Sequence, residues 1–230
     1  MIKGFRGTSL VDYPGKVASV IYTYTCNYRC PYCYNIELVL PEYYQELPEL
    51  SEEEILKNLS ERKGFIQGVV ITGGEPTLWG KRLAGLIEII KYNLELPIKL
   101  DTNGSNPELL KYLLEEKLID FVAMDFKTSP EKYASIGGDF AKVERSLNYL
   151  RAYPQKTEIR ITLYPPLVSE EDFELMLPYL EGFSFIALQK YLPEKNLSNI
   201  KVEPYSKELY ETFYLKAYSK LKGASLLKRF

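Results

Sequence analysis

The stretch Tyr24-Thr25-Cys26-Asn27-Tyr28-Arg29-Cys30-Pro31-Tyr32-Cys33-Tyr34-Asn35 decides how this chain is read. Cys26, Cys30 and Cys33 are the only cysteines, so none is left for a disulfide or a core position. Thiolates this close in sequence can close on one inorganic centre. Structural zinc takes four protein ligands, usually Cys or His. The chain has no histidine and no fourth cysteine, no carboxylate lies between the three, and Glu37 is the nearest after them. A four-iron cluster on three thiolates leaves one iron open to bind a small molecule. Three unrelated cysteines, or a zinc knuckle completed by a carboxylate, are the plainer alternatives.

Outward from the loop, residues 17–24 are β-branched and aromatic and read as a strand feeding straight into Cys26. Residues 1–16 read as a mixed lead-in with Gly4, Gly7 and Gly15, and residues 36–50 as an irregular excursion. Ser51 and Glu54 then form a helix-start signature, with Gly64 as the stop. Strands are predicted at 66–71, 97–102, 119–125, 157–164 and 183–189. Helices are predicted at about 81–92, from Asn106-Pro107, at about 140–152, from Ser169 to about 181 with a bend or break at Pro178, and at about 206–222. The strands are near-continuous apolar runs, as parallel strands covered on both faces should be. Six strand–helix units over about 17–190 fall short of a closed eightfold barrel. The expected fold is α/β, a curved partial (βα)6 barrel in one domain over 1–230. A flat doubly wound sheet is the alternative, but its glycine fingerprint is missing after the first strand, where the cysteines stand.

In such folds function gathers at the C-terminal strand ends. Those ends carry Cys26, Gly73-Gly74-Glu75, Asp101-Thr102-Asn103, Asp125 with Lys127, and Gln189. A lone GGEP is usually only a turn, and Asp-Phe-Lys after a strand is usually a solvated edge. Their stacking on one predicted rim beside the cysteines is what makes them candidates.

The Cys-x3-Cys-x2-Cys spacing resembles the radical S-adenosylmethionine (radical SAM) superfamily. The run SLVDYPGKVASVIYTYTCNYRCPYCYN is similar to the activating proteins of anaerobic ribonucleoside-triphosphate reductase and other glycyl-radical enzymes. The resemblance implies the six-unit partial barrel and a [4Fe-4S] cluster on Cys26, Cys30 and Cys33. It implies S-adenosylmethionine on the fourth iron, cleaved by one electron to a 5'-deoxyadenosyl radical that abstracts hydrogen. Gly73 and Gly74 would bring backbone close to this cofactor, Glu75 would pair its ammonium and Lys127 its carboxylate. Tyr32 and Tyr34 flank the third cysteine, with Tyr34 near the adenine where many relatives carry histidine. Asp101, Thr102 and Asp125 match the family's grouping for a monovalent cation, Asn103 adjoins them, and Gln189 falls where relatives often have histidine. The implied partners are a glycyl-radical protein, foremost anaerobic ribonucleotide reductase, and a one-electron donor such as flavodoxin or ferredoxin.

Composition narrows the rest. A net charge of -2 leaves no basic footprint for nucleic acid. No run of about 18 apolar residues exists to cross a membrane, and the start lacks a signal peptide's apolar core. A cytoplasmic, reducing setting suits free thiolates. Absence of histidine excludes an imidazole acid or base. Two further functions share these residues: a radical SAM enzyme acting on a small molecule, such as a deazapurine-forming enzyme, and a non-catalytic iron–sulfur protein. A carrier normally has four protein ligands on its cluster and no use for six strand–helix units. Tyrosine is frequent, at 20 copies. Tyrosines and prolines between Tyr32 and Pro48 are candidate docking surface.

Overall fold

Val20, Ile21, Val69, Val70, Ile71, Ile98 and Leu100 are fully shielded from solvent, as are Ile159, Ile161, Ile186, Ala187 and Leu188. Apolar side chains on alternating sides of a strand can all be covered only if both faces of the sheet are packed, which is the condition of a parallel sheet. The structure is a computed structural model that describes residues 1–194, 196–198 and 200–229. Contacts divide the chain into two units. The first holds Met1–Asn27, Asn35–Thr102 and Glu108–Val122; the second holds Tyr28–Tyr34, Asn103–Pro107 and the chain from Ala123 onward.

The first unit contains β1 (Ile2–Tyr13), β2 (Lys16–Thr23), the short helices α1 (Ile36–Val39) and α2 (Pro41–Tyr44), α3 (Glu52–Ser60), β3 (Gly68–Gly73), α4 (Lys81–Leu94) and β4 (Ile98–Thr102). Strand order follows chain order. β2–β3 and β3–β4 are parallel, with Val20 opposite Val70 and Ile71 opposite Leu100. α5 (Pro107–Glu115) and β5 (Phe121–Asp125) follow. The second unit continues with α6 (Phe140–Leu150), β6 (Thr157–Leu163), α7 (Glu170–Leu180), β7 (Phe185–Lys190), α8 (Lys207–Lys220) and β8 (Ser225–Arg229). β6–β7 and β7–β8 are parallel.

β2 to β7 lie within two residues of the six expected strands. Two strands escaped the sequence. The lead-in is β1, antiparallel to β2 through the Pro14-Gly15 turn, and its register shifts beside Gly4 and Ser9. Glycines that argued against a strand sit where an edge strand bulges. β8 carries only Leu226 and Leu227 as apolar residues before Lys228 and Arg229, the basic ending of a protected edge.

Helix starts follow local chemistry. Ser51 with Glu54, and Ser169 with Asp172, form reciprocal capping boxes. α3 stops at Ser60, earlier than Gly64 suggested, because residues 61–65 continue only as turns. Pro178 lies inside α7 without breaking it. Residues 36–50, expected to be irregular, hold α1 and α2 and a bridge from Leu50 to Ile2. Among the described residues no helix is long and apolar enough to cross a membrane.

Candidate active site

In the first unit the Gly73-Gly74-Glu75 turn locks onto the strand exit before Cys26. Gly74 N donates to Thr23 O at 3.0 Å, and Glu75 N donates to Thr25 O at 2.7 Å. This interlock explains both glycines. Gly73 sits at φ +125°, and a Cβ there would collide with the Thr23 backbone; one on Gly74 would collide with the Thr25 carbonyl. The Asn35 amide donates to Gly73 O at 3.0 Å, and the Trp79 indole donates to Tyr24 O at 3.0 Å. Thr25, β-branched, is held at φ +66°. Such a residue avoids this region unless its surroundings impose it, at about 1–3 kcal/mol.

Glu75 is 1% exposed. Its Oε1 accepts from Thr77 N at 3.1 Å, Thr77 Oγ1 at 2.5 Å and Thr102 Oγ1 at 2.7 Å. Thr102 therefore joins Glu75, tying the end of β4 to the end of β3. Asp101, one residue earlier on β4 and so on its other face, pairs with the ammonium of Lys99.

In the second unit the loop Tyr28–Tyr34 is pinned at several points. Arg29 N donates to Ile136 O at 2.9 Å, Cys33 N to Cys30 O at 3.0 Å, and Ser198 N to Pro31 O at 3.1 Å. Tyr32 is buried, its ring 5.3 Å from Tyr164 and under the Lys127 ammonium at 5.7 Å. Its hydroxyl has no hydrogen-bond partner among the described residues. Tyr164 in turn packs edge-on to Tyr191 at 4.7 Å. Tyr34 is 39% exposed, and its hydroxyl accepts from Leu192 N at 2.6 Å.

Asp125 closes a charged group. Its Oδ1 accepts from Arg160 Nε at 2.7 Å and its Oδ2 from Lys127 Nζ at 2.9 Å. Burial alone would raise the Asp125 carboxyl, but Arg160 and then Lys127 outweigh it and hold it far below the usual carboxylate range. Burial would lower Lys127, and Asp125 foremost reverses that. Asn103 is buried and accepts from Ser105 N at 2.9 Å, a local turn. Gln189 stands one residue from the end of β7, in register with Thr162 and Arg229.

Thus the candidates fall into two groups. Gly73, Gly74, Glu75, Asp101, Thr102 and Cys26 belong to the first unit; Cys30, Tyr32, Cys33, Tyr34, Asn103, Asp125, Lys127 and Gln189 belong to the second. Sequence reasoning missed Lys99, Arg160 and Thr25. Lys99 and Arg160 did carry a signal: each is a charge inside a strand that should be buried on both faces.

None of the three cysteines is in a disulfide; Cys30 is buried and the others half-buried. Burial pushes the Cys30 thiol up to about 11, against the pull of Lys127, so a metal must displace its proton. Among the described residues no three or more Cys, Asp or Glu gather as a single metal ion needs. A cluster differs, because each thiolate meets a different iron. The donor set of three thiols and no imidazole therefore fits an iron–sulfur cluster better than a lone ion.

The family model of the Radical SAM superfamily matches residues 20–177, more than half of the chain. The chain belongs to the radical SAM superfamily. It is an enzyme of that superfamily, and membership carries with it S-adenosylmethionine and a [4Fe-4S] cluster. A Methanocaldococcus jannaschii protein named as a glycyl-radical enzyme activating enzyme is 32% identical over 203 residues, 84% of this chain and 81% of that protein. The pyruvate formate-lyase-activating enzyme of Clostridium pasteurianum is 26% identical over 221 residues, 88% of this chain and 85% of that one. Among solved structures, Streptococcus suis SuiB bound to S-adenosylmethionine matches with a TM-score of 0.66 at 16% identity, over 91% of this chain. This radical SAM chain spans about half of the SuiB chain, 49%. That likeness concerns the fold, the α/β partial barrel of the radical SAM type expected from the sequence.

Proposed function

We propose that this radical SAM enzyme generates a glycyl radical on a partner protein, and that the partner is anaerobic ribonucleotide reductase. The carrying observation is the match to the M. jannaschii protein named as a glycyl-radical enzyme activating enzyme, which extends over 84% of the chain. Residues 1–230 act as one radical SAM domain, and an external one-electron donor such as flavodoxin or ferredoxin serves it.

Cys26, Cys30 and Cys33 would hold the cluster, and S-adenosylmethionine would lie against Gly73, Gly74, Glu75 and Lys127, with Tyr34 beside its adenine. When bound, these groups supply reductive cleavage of a carbon–sulfur bond and a carbon radical able to take hydrogen from glycine Cα. The chain supplies orientation. Thr77 and Thr102 fix Glu75 so that its carboxylate presents one orientation to an ammonium. Asp125 fixes the Lys127 ammonium, which stays charged to meet a carboxylate. The interlocked glycines hold the exit of β2, and hence Cys26, in place without side chains in the way.

The test is anaerobic incubation of the reconstituted enzyme with S-adenosylmethionine, reductant and the reductase of the same organism. A glycine-centred doublet in the electron paramagnetic resonance spectrum, matched by release of 5'-deoxyadenosine, is expected. No doublet, together with substrate-dependent turnover of a small molecule, would replace this reading with a small-molecule radical SAM enzyme.

A further inference from the structure

Lys99 stands in the middle of β4 and is only 2% exposed. Its partner across the sheet is Val70, fully buried in a cluster with Tyr13, Ala18 and Val20. An ammonium in such a setting needs a partner, or the strand would not keep it there. The partner is Asp101, two residues on and so on the same face of the strand. The lysine stem lies among apolar side chains while its charged end runs toward the C-terminal end of β4.

The resemblance groups Asp101, Thr102 and Asp125 for a monovalent cation, and that expectation does not fit the donor chemistry found. A carboxylate already neutralised by a fixed ammonium or guanidinium offers a monovalent cation little electrostatic attraction. Asp101 is held by Lys99 and Asp125 by Arg160 and Lys127, so of the three only the neutral Thr102 hydroxyl, whose proton goes to Glu75, is not offset by a fixed positive charge. We propose that Lys99 is a tethered cation that neutralises Asp101 in place of a monovalent metal ion, so that this chain folds and binds its cofactor without one. A lysine suits the task, being a compact point charge with three rotatable donors. Lys99 is a positioning residue: it acts through Asp101 and need touch no substrate. The inference rests on the proposed function only for what Asp101 serves; the ion dependence itself is measurable without turnover.

The experiment compares the cluster-reconstituted wild type with Lys99→Met in sodium, potassium and choline chloride at equal ionic strength. Choline is too large to sit between carboxylate oxygens. Thermal midpoints and S-adenosylmethionine dissociation constants are read in each salt. The wild type should give the same values in all three. Lys99→Met should show a higher midpoint and several-fold tighter binding in sodium or potassium than in choline, since an ion that binds only the folded state stabilises it. Lys99→Arg should behave as wild type. Lys99→Met combined with Asp101→Asn should lose the ion dependence, which separates charge from side-chain volume. A wild type that itself prefers sodium or potassium to choline overturns the proposal, as does a folded Lys99→Met with no preference. If Lys99→Met folds in none of the salts, the wild type decides alone, indifference supporting the proposal and preference refuting it. Failure of the wild type to take up iron or bind S-adenosylmethionine would count against the radical SAM site instead, and the comparison of midpoints would still stand.

Discussion

Gly74→Ala should loosen the whole entry to the cysteine loop. The added Cβ would meet the Thr25 carbonyl, which is backbone and cannot rotate away. Overpacking of this kind costs about 1–3 kcal/mol. Relief requires the turn to move, which sacrifices the bonds from Gly74 N to Thr23 O and from Glu75 N to Thr25 O, about 1 kcal/mol each. The expected loss is about 3–5 kcal/mol, a fall in thermal midpoint on the order of 10 °C for a chain of this size. Gly73→Ala should cost at least as much, because strain at φ +125° adds to its collision with Thr23. Gly64→Ala is the control: nothing lies within 4 Å of the new Cβ, and its effect should stay within about 1 kcal/mol. Thermal unfolding and iron content after anaerobic reconstitution would be measured on all three. If Gly74→Ala matches Gly64→Ala in midpoint and iron, the interlock does not hold the loop and the reasoning is wrong.

Glu75→Gln keeps the shape of the side chain and removes its charge; S-adenosylmethionine binding measured by calorimetry should weaken about tenfold or more while iron content stays at wild type, and unchanged binding would remove Glu75 from the cofactor site. Arg160→Leu should destabilise by about 2–3 kcal/mol at neutral pH, a buried-pair cost reduced because Arg160 and Asp125 are 16% and 26% exposed. The folded Asp125 carboxyl lies below its ordinary value of 3.8, so its contribution is present above that value and fades as pH falls through the depressed one. The gap between Arg160→Leu and wild type, followed by denaturant titration, should therefore shrink in strong acid. Burial, then Asp120, pushes Tyr13 from 10.0 up to about 12. Its neutral form is favoured in the fold, so Tyr13 by itself should contribute a loss of roughly 2 kcal/mol between pH 10 and pH 12, on top of the losses from the other buried tyrosines, and Tyr13→Phe should shrink the alkaline loss by that share.

The parts of the fold legible in the sequence were those where local pattern and burial agree. Val20-Ile21 and Val69-Val70-Ile71 are apolar on consecutive positions because both faces are covered, and they were read so. Ser51 and Ser169 announced their helices because the capping bonds are local. β1 was illegible because Leu10 and Val11 point to solvent while the polar Ser9 is buried, the reverse of the pattern that marks a strand. At the candidate site, Cys26, Cys30 and Cys33 are proposed from residue type and spacing, which the sequence carries without the fold. The fit of Gly73 and Gly74 against Thr23 and Thr25 was not, because it joins backbones about fifty residues apart in sequence. Arg160 was passed over as one charge in an apolar strand; only the fold shows that Asp125 receives it. The abundance of tyrosine gains a partial account: Tyr28, Tyr133, Tyr191 and Tyr210 are among the largest fully buried side chains, filling core space that aliphatic residues fill elsewhere.

Trp79 is the only tryptophan in the chain. Its indole hydrogen-bonds the carbonyl of Tyr24, two residues before Cys26, and its ring stands edge-on to Tyr24 at 4.9 Å. Fluorescence excited at the red edge, where the 20 tyrosines do not absorb, is therefore a single-site signal, emitted from the stem of the loop that carries the first cysteine. Any event that shifts that stem changes the hydrogen bond and polarity around one indole, with no averaging over others. Loop ordering can thus be followed in real time under an inert atmosphere in unlabelled protein, and Trp79→Phe supplies the dark reference.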